Sequence, residues 1–278
     1  MGDLSRSKLR RTSDSVVVDL FDMELRALRR DRAHRRGAEL FLHQRAFDDC
    51  LDRLSMVTRS FRSALLIGCP DPDWLVRLRA FAGTVEVIDP GPLFARDSGG
   101  ACTNEENWSG KPLSFDLCVA VGTLDSVNDL PSALQSIRTA LDEDSLLIGA
   151  MAGGDSLPRL RAAMYAADQI MGSASPRVHP RIDGPTLANL LTACGFTMPV
   201  VDVDRVQLSY PSLMRLVSDL RSMGATNILQ SRSRTPLTKE ALAAAEAAFA
   251  AAGDGRRTIE RVEILNFAAW TPAGAKHG

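Results

Sequence analysis

The sequence predicts an α/β protein: a mostly parallel sheet with helices on both faces, preceded by a helical segment. Three observations predict it. Residues 64–68 (ALLIG), 85–89 (VEVID), 115–121 (FDLCVAV) and 145–150 (SLLIGA) are short apolar runs rich in aliphatic side chains, and near-continuous apolar strands belong to a sheet buried on both sides. The segments between them have room for the helix that parallel neighbours need as a connection. Before about residue 60 and again after 155, apolar positions recur at helical spacing.

Taken in order, residues 1–15 are polar and lack the apolar content that offsets chain entropy, so they are expected to form a disordered tail. Residues 16–60 form a helical segment in which Leu40, Phe41, Phe47, Leu51, Leu54 and Met56 can line one side. The α/β domain spans 61–271, with a helix at 73–82 between the first two strands and another at 130–141. Asp129 and Pro131 make a sensible start for the second of these helices. A helix at 156–171, a Ser/Pro-rich loop at 172–182 and a helix at 184–193 ended by Gly195 follow. The remainder reads as an extended segment at 197–209, helices at 211–222 and 238–252, and a last strand at 258–270. That makes 172–257 largely a helical insert, and the last strand can run antiparallel, as edge-near members of such sheets often do.

Composition narrows the function. A chain of 278 residues, 45% hydrophobic and 24% charged, can bury a sizeable core as one large domain or one domain with an appendage. No run of about 18 apolar residues would cross a membrane, and the N-terminus has neither a signal peptide's apolar segment nor a transit peptide's lack of acids, so a cytoplasmic protein is expected. Thirty-three basic against 34 acidic side chains argue against a dedicated nucleic-acid binder. Five cysteines without a C-x-x-C pair, and four histidines without ligand spacing, indicate neither a disulfide framework nor a metal site. Arg29, Arg30, Arg32, Arg35 and Arg36 crowd into eight residues. They read as a solvated helix face or, alternatively, as a docking surface for an acidic partner or for anionic lipid headgroups, a peripheral membrane contact.

In an open α/β sheet, ligands bind beyond the carboxyl ends of the strands, near the point where strand order reverses. The first strand ends at Gly68 and is followed by Cys69, Val121 and Gly122 close the strand at 115–121, and Asp89 with Pro90 ends the strand at 85–89. A carboxylate at Asp89 can accept both hydroxyls of a ribose; an ordinary turn residue before Pro90 is the alternative. No G-x-S-x-G elbow and no G-x-x-x-x-G-K-S/T loop is present.

The layout resembles the class I methyltransferase fold, a seven-stranded, mostly parallel Rossmann-like sheet with an antiparallel last strand. Four strings narrow the resemblance: FDMELRALRRDRA (21–33), VNDLPSALQSIRTAL (127–141), IGAMAGGDSLPRLR (148–161) and VDVDRVQLSYPSLMRLVSDLRSMGATN (201–227). They look like those of the mitochondrial complex I assembly factor of methyltransferase fold and its bacterial relatives. The resemblance implies maturation of a respiratory complex I subunit by arginine hydroxylation. Similarity to the methyltransferase acting on a malonyl carrier thioester implies the alternative of a methyltransferase on a carrier-bound or small substrate. S-Adenosylmethionine is the implied cofactor, with Gly68, Cys69, Asp89, Pro90, Val121 and Gly122 as its binding residues.

The sequence departs from that pattern. A D-x-G-x-G-like turn is reduced to Gly68, with Leu66, Pro70 and Pro72 at the other places, and two prolines remove amide donors. Asp71 and Asp73 add negative charge where a methionine carboxylate would sit, so cofactor binding is expected to be weakened or lost, which leaves a pseudoenzyme that only binds a partner as a third reading. Asp125 and Ser126 replace an aromatic or His-Trp pair; Asp125 could act as a base or orient a guanidinium, against the alternative of a solvated loop. Asp155 could touch substrate or cap the helix after it, and Tyr210 could project into the cleft or be a buried, satisfied tyrosine. Asp125, Asp155 and Tyr210 are the catalytic candidates. Together Asp71, Asp73, Asp89 and Asp125 would make an acidic pocket suited to an arginine.

Overall fold

The structure, a computed structural model, describes residues 10–12, 15–17 and 19–274. Of the tail expected at 1–15, residues 1–9, 13 and 14 lie outside the described residues, while β1 (Arg10–Thr12) pairs antiparallel with β2 (Ser15–Val17). Helix α1 (Met23–Arg35) is N-capped by Asp22, whose carboxylate accepts from Leu25 N at 2.9 Å. Helix α2 (Phe41–Ser55) lays Phe47, Cys50, Leu51 and Leu54 on the sheet. Phe41 and Met56, expected on the same stripe, are 40% and 73% exposed. Met56 stands two positions beyond Leu54, on the opposite side of the helical turn.

The sheet is built from β3 (Phe61–Ile67), β4 (Ala82–Asp89), β5 (Ala101–Cys102), β6 (Phe115–Val121), β7 (Leu141–Gly153), β8 (Thr197–Tyr210) and β9 (Thr258–Trp270), in the order β5-β4-β3-β6-β7-β9-β8. All pairings are parallel except those of β9, which runs antiparallel to both β7 and β8. Strand order reverses between β3 and β6. The connections carry α3 (Asp73–Leu78), α4 (Pro92–Asp97), α5 (Leu130–Ala140), α6 (Pro158–Met171), α7 (Gly184–Ala193), α8 (Leu213–Ser222) and α9 (Lys239–Ala251).

Two apolar layers hold the sheet. On one face Phe47 stacks flat on Trp74, ring centroids 4.3 Å apart, in a cluster that extends through Leu54, Leu216 and Phe249. On the other, Leu134 and Ile137 of α5 and Leu187 and Leu191 of α7 pack on Phe267 and Leu265. Helix α3 stops four residues short of the expected end because the chain turns at Ala80–Phe81, where the Phe81 carbonyl accepts from Phe61 N, and enters β4. Strand β7 starts four residues early, directly from α5, through the charged segment 142–144. Among the described residues no helix is long and apolar enough to cross a membrane.

Candidate functional site

The carboxyl ends of β3, β4 and β6 meet at closely packed turns. Gly68, at φ +80°, sits so near the turn after β6 that a Cβ there would lie 2.5 Å from Thr123 Cγ2 and 2.7 Å from the Val121 carbonyl. Helix α1 lies across these ends and turns arginines inward. Arg30 donates from Nε and Nη2 to the two oxygens of Asp89 at 2.8 and 2.5 Å. Cys69 N and Gly91 N donate to the same carboxylate at 2.9 and 2.6 Å, so each Asp89 oxygen accepts two hydrogen bonds. One turn earlier Arg26 makes a fork on Glu105 at 2.8 and 3.0 Å and donates to the Thr123 carbonyl at 2.6 Å. Burial alone would raise the Glu105 carboxyl, but the charge and hydrogen bonds of Arg26 hold it below its usual range.

A third pair, Arg181 Nη1 to Asp125 Oδ2 at 2.7 Å, lies beside them, with side-chain exposures of only 6% and 14%. Arg26, Arg30 and the Arg181–Asp125 pair border a cavity of about 930 Å³ whose other walls come mainly from α2, β7, α8 and the loop after α8. Two imidazoles reach it. His43 packs against Gly122, at φ +66°, where a Cβ would fall 2.6 Å from the ring. Burial, reinforced by the charge of Arg30, pushes His43 down to about 4, so it is neutral at pH 7, and its Nδ1 has no partner among the described residues. His179 is likewise held near 4, by burial and then by Arg181. Its Nε2 accepts from Ile228 N at 3.1 Å, and its ring meets Phe21 edge-on at 5.2 Å.

Of the residues expected to bind a cofactor, Val121 and Gly122 line the cavity; Gly68, Cys69, Asp89 and Pro90 are buried and do not line it. Among the catalytic candidates Asp125, with Ser126, borders the cavity, which corrects the solvated-loop alternative. Asp155 is paired with Arg261 on the surface and neither lines the cavity nor caps α6. The cap comes from across the sheet: the buried Glu260 of β9 accepts from Arg159 N and Leu160 N at 3.2 and 2.7 Å. Tyr210 is the buried, satisfied tyrosine. Its hydroxyl bonds to Asp219, and burial with that carboxylate raises its pKa. The expected acidic pocket is not formed. Asp71 accepts from Asp73 N at the start of α3, away from the cavity, while Asp89 and Asp125 are each neutralised by an arginine.

These residues do not fit S-adenosylmethionine in its family seat as they stand. A ribose needs a carboxylate with free lone pairs, and those of Asp89 are filled by a guanidinium and two amides. Among the described residues no group of three or more His, Cys, Asp or Glu is placed to hold a metal ion.

Periodicity could have found Arg26 and Arg30, which share one helical face with the buried Ala33. His43, Glu105 and Arg181 carry no comparable local signal. Each acquires its role only when β6 and its turns come beside α1 and α2.

The switch-point cleft beyond parallel strands defines a class I methyltransferase-like protein, and the comparisons agree. The chain belongs to the methyltransferase-domain family, whose pattern matches residues 35–201, and within it to the family of the arginine-hydroxylase NDUFAF5. It is 30% identical over 252 residues to the mitochondrial arginine-hydroxylase NDUFAF5 of Mus musculus, an alignment covering 84% of this chain and 71% of that protein. It is 29% identical over 181 residues, 65% of this chain and 59% of the relative, to the malonyl-[acyl-carrier protein] O-methyltransferase of Laribacter hongkongensis. The YcgJ protein of Bacillus subtilis shares the fold, with a TM-score of 0.55 at 10% identity, over 82% of this chain and 99% of that one.

Proposed function

We propose that the protein is a maturation factor that binds, and modifies or holds, a subunit of respiratory complex I at this cleft. One observation carries the reading: three of the four strings that bear the family resemblance contribute residues to the cavity wall. Arg26 and Arg30 come from the first, Ala150, Met151, Ser156 and Leu157 from the third, and Leu220, Met223 and Gly224 from the fourth. Asn128 of the second clamps the backbone of Phe21, accepting from its N at 2.7 Å and donating to its carbonyl at 3.2 Å. The resemblance thus reaches residues around the cleft as well as the scaffold, and sites decide function where scaffolds do not. Asp125 is a carboxylate in the cavity lining, and it already clasps the guanidinium of Arg181, which a substrate arginine would have to displace. A cytoplasmic location, and contact of the exposed Arg32, Arg35 and Arg36 with an anionic membrane surface, belong to the same proposal.

The test is deletion of the gene followed by separation of the respiratory complexes on native gels. Complex I is expected to be lost or stalled, and restored by the wild-type chain. Normal complex I would overturn the reading.

The saturated Asp89 favours one further reading, that the fold acts here without its cofactor. Calorimetric titration with S-adenosylmethionine is expected to give no heat while Arg30 is docked. Micromolar binding that is abolished by Asp89→Ala would instead support a working methyltransferase on a carrier-bound or small substrate.

A further inference from the structure

Behind the cleft lies a second cavity, of about 560 Å³, between α6 and α8. It adjoins the first: Leu157, His179, Arg181, Leu220 and Ala225 line both. Its own walls are the apolar Leu160, Met164, Val178 and Val217, with Thr226, Asn227 and Arg177, the last paired with Asp168, on the polar side. Arg181 stands where the two meet. Its side chain is 6% exposed and bonds to Asp125 through Nη1, yet its Nε has no partner among the described residues. Thr226 Oγ1, which also borders the second cavity, is a second buried polar atom without one. Buried polar atoms in folded proteins nearly always have a partner, so unpaired ones bordering a cavity point to a ligand that supplies it.

The shape and the chemistry select that ligand. Aliphatic walls match a run of methylenes, and the guanidinium N–H needs an acceptor oxygen. A free carboxylate is a poor acceptor here, because Asp125 already neutralises Arg181 and a second anion would be buried beside the first. A carbonyl oxygen carries no such penalty. We infer that the adjoining cavities bind an esterified acyl chain, its carbonyl oxygen taking the Arg181 Nε–H and its methylenes running between α6 and α8. The inference does not depend on the complex I reading, since a ligand can bind there whichever partner the protein serves.

Titration of the purified full chain with acyl N-acetylcysteamine thioesters and with the matching methyl esters, from hexanoyl to tetradecanoyl, tests it. The Kd is expected to fall about fourfold per added methylene until the second cavity is full. The free acid of equal length should bind roughly tenfold more weakly. Tighter binding of the thioester would assign a carrier-borne chain, and tighter binding of the oxygen ester a lipid. Leu160→Trp, or Val217→Phe if the first variant does not fold, should move the plateau to shorter chains. No binding of either ester, affinity independent of chain length, a free acid binding as tightly as its ester, or a plateau that a folded variant leaves in place would each overturn the inference.

Discussion

Two successive helices of similar length, α1 and α2, follow opposite rules. Helix α2 buries Phe47, Cys50, Leu51 and Leu54, as its apolar stripe requires, whereas α1 buries Arg26 and Arg30 and leaves Leu28 41% exposed. The difference lies in what each helix covers. Helix α2 rests on the apolar face of a sheet, but α1 crosses the ends of strands, where carbonyls and carboxylates such as Thr123 O, Asp89 and Glu105 face outward. A helix inverts its amphipathic pattern when its floor is polar.

Substitutions can break this contrast, and the largest effects fall on the inward faces. Arg30→Ala strands a buried carboxylate and is expected to destabilise the fold by about 3–5 kcal/mol in denaturant unfolding. Phe47→Ala on α2 should cost a similar amount, about 3–5 kcal/mol, for the different reason of a cavity. The two helices separate on repair: Arg26→Met combined with Glu105→Leu should regain much of what Arg26→Met alone loses, because apolar pairs replace buried ion pairs well. If the double variant is no better than the single, the polar floor of α1 is not what sets its pattern.

Next in size is a pH effect at the segment that docks beside α1. His179 titrates near 4 in the fold against an ordinary value of 6.5, so the unfolded chain binds more protons between those values. Stability is fully present above pH 6.5 and drains away as the pH falls towards 4, by roughly 3 kcal/mol for this one buried ring. Chemical denaturation at several pH values should show that slope, and His179→Gln should reduce it, leaving the part that His43, also lowered to about 4 by burial, contributes. Asp22→Ala, which removes the cap of α1 and a partner of Arg232, is expected to cost about 0.5–2 kcal/mol. The smallest effect belongs to the outer face: Leu28→Ser should change stability by no more than about 0.5 kcal/mol, although it removes an apolar side chain from a helix.

Much of the fold was legible because its strands are buried on both faces and announce themselves as apolar runs; β6 ends at the residue expected of it. Strand β5 and helix α4 were not legible, since a two-residue strand and a six-residue helix carry too little periodicity to read. The start of β7 was hidden by Asp142, Glu143 and Asp144, which sit where the strand is still at the sheet's polar end. At the site, strand ends located Asp89 and Gly122 near the switch point, and the family resemblance drew attention to Asp125. It could not reveal their partners, because Arg30 reaches Asp89 across 59 residues and Arg181 reaches Asp125 across 56. The basic run at 29–36 read as a solvated face or a docking surface, exposed in either case, yet one of its members is buried and paired, and helix rotation alone decides which.

The cap that Glu260 places on α6 bears on how the chain reaches this state. The first turn of α6 is satisfied by a carboxylate about a hundred residues further on, and β8 finds its partner in the sheet only in β9. During synthesis, then, the rear half of the sheet has no finished arrangement until the strand at 258–270 has left the ribosome and inserted between two segments already made. Contacts of such long sequence separation make for slow assembly and a long exposure of the β7 edge to other chains. A chain stopped before residue 258 would present that edge permanently, and the cell would meet it as an aggregating species rather than as a shortened working protein.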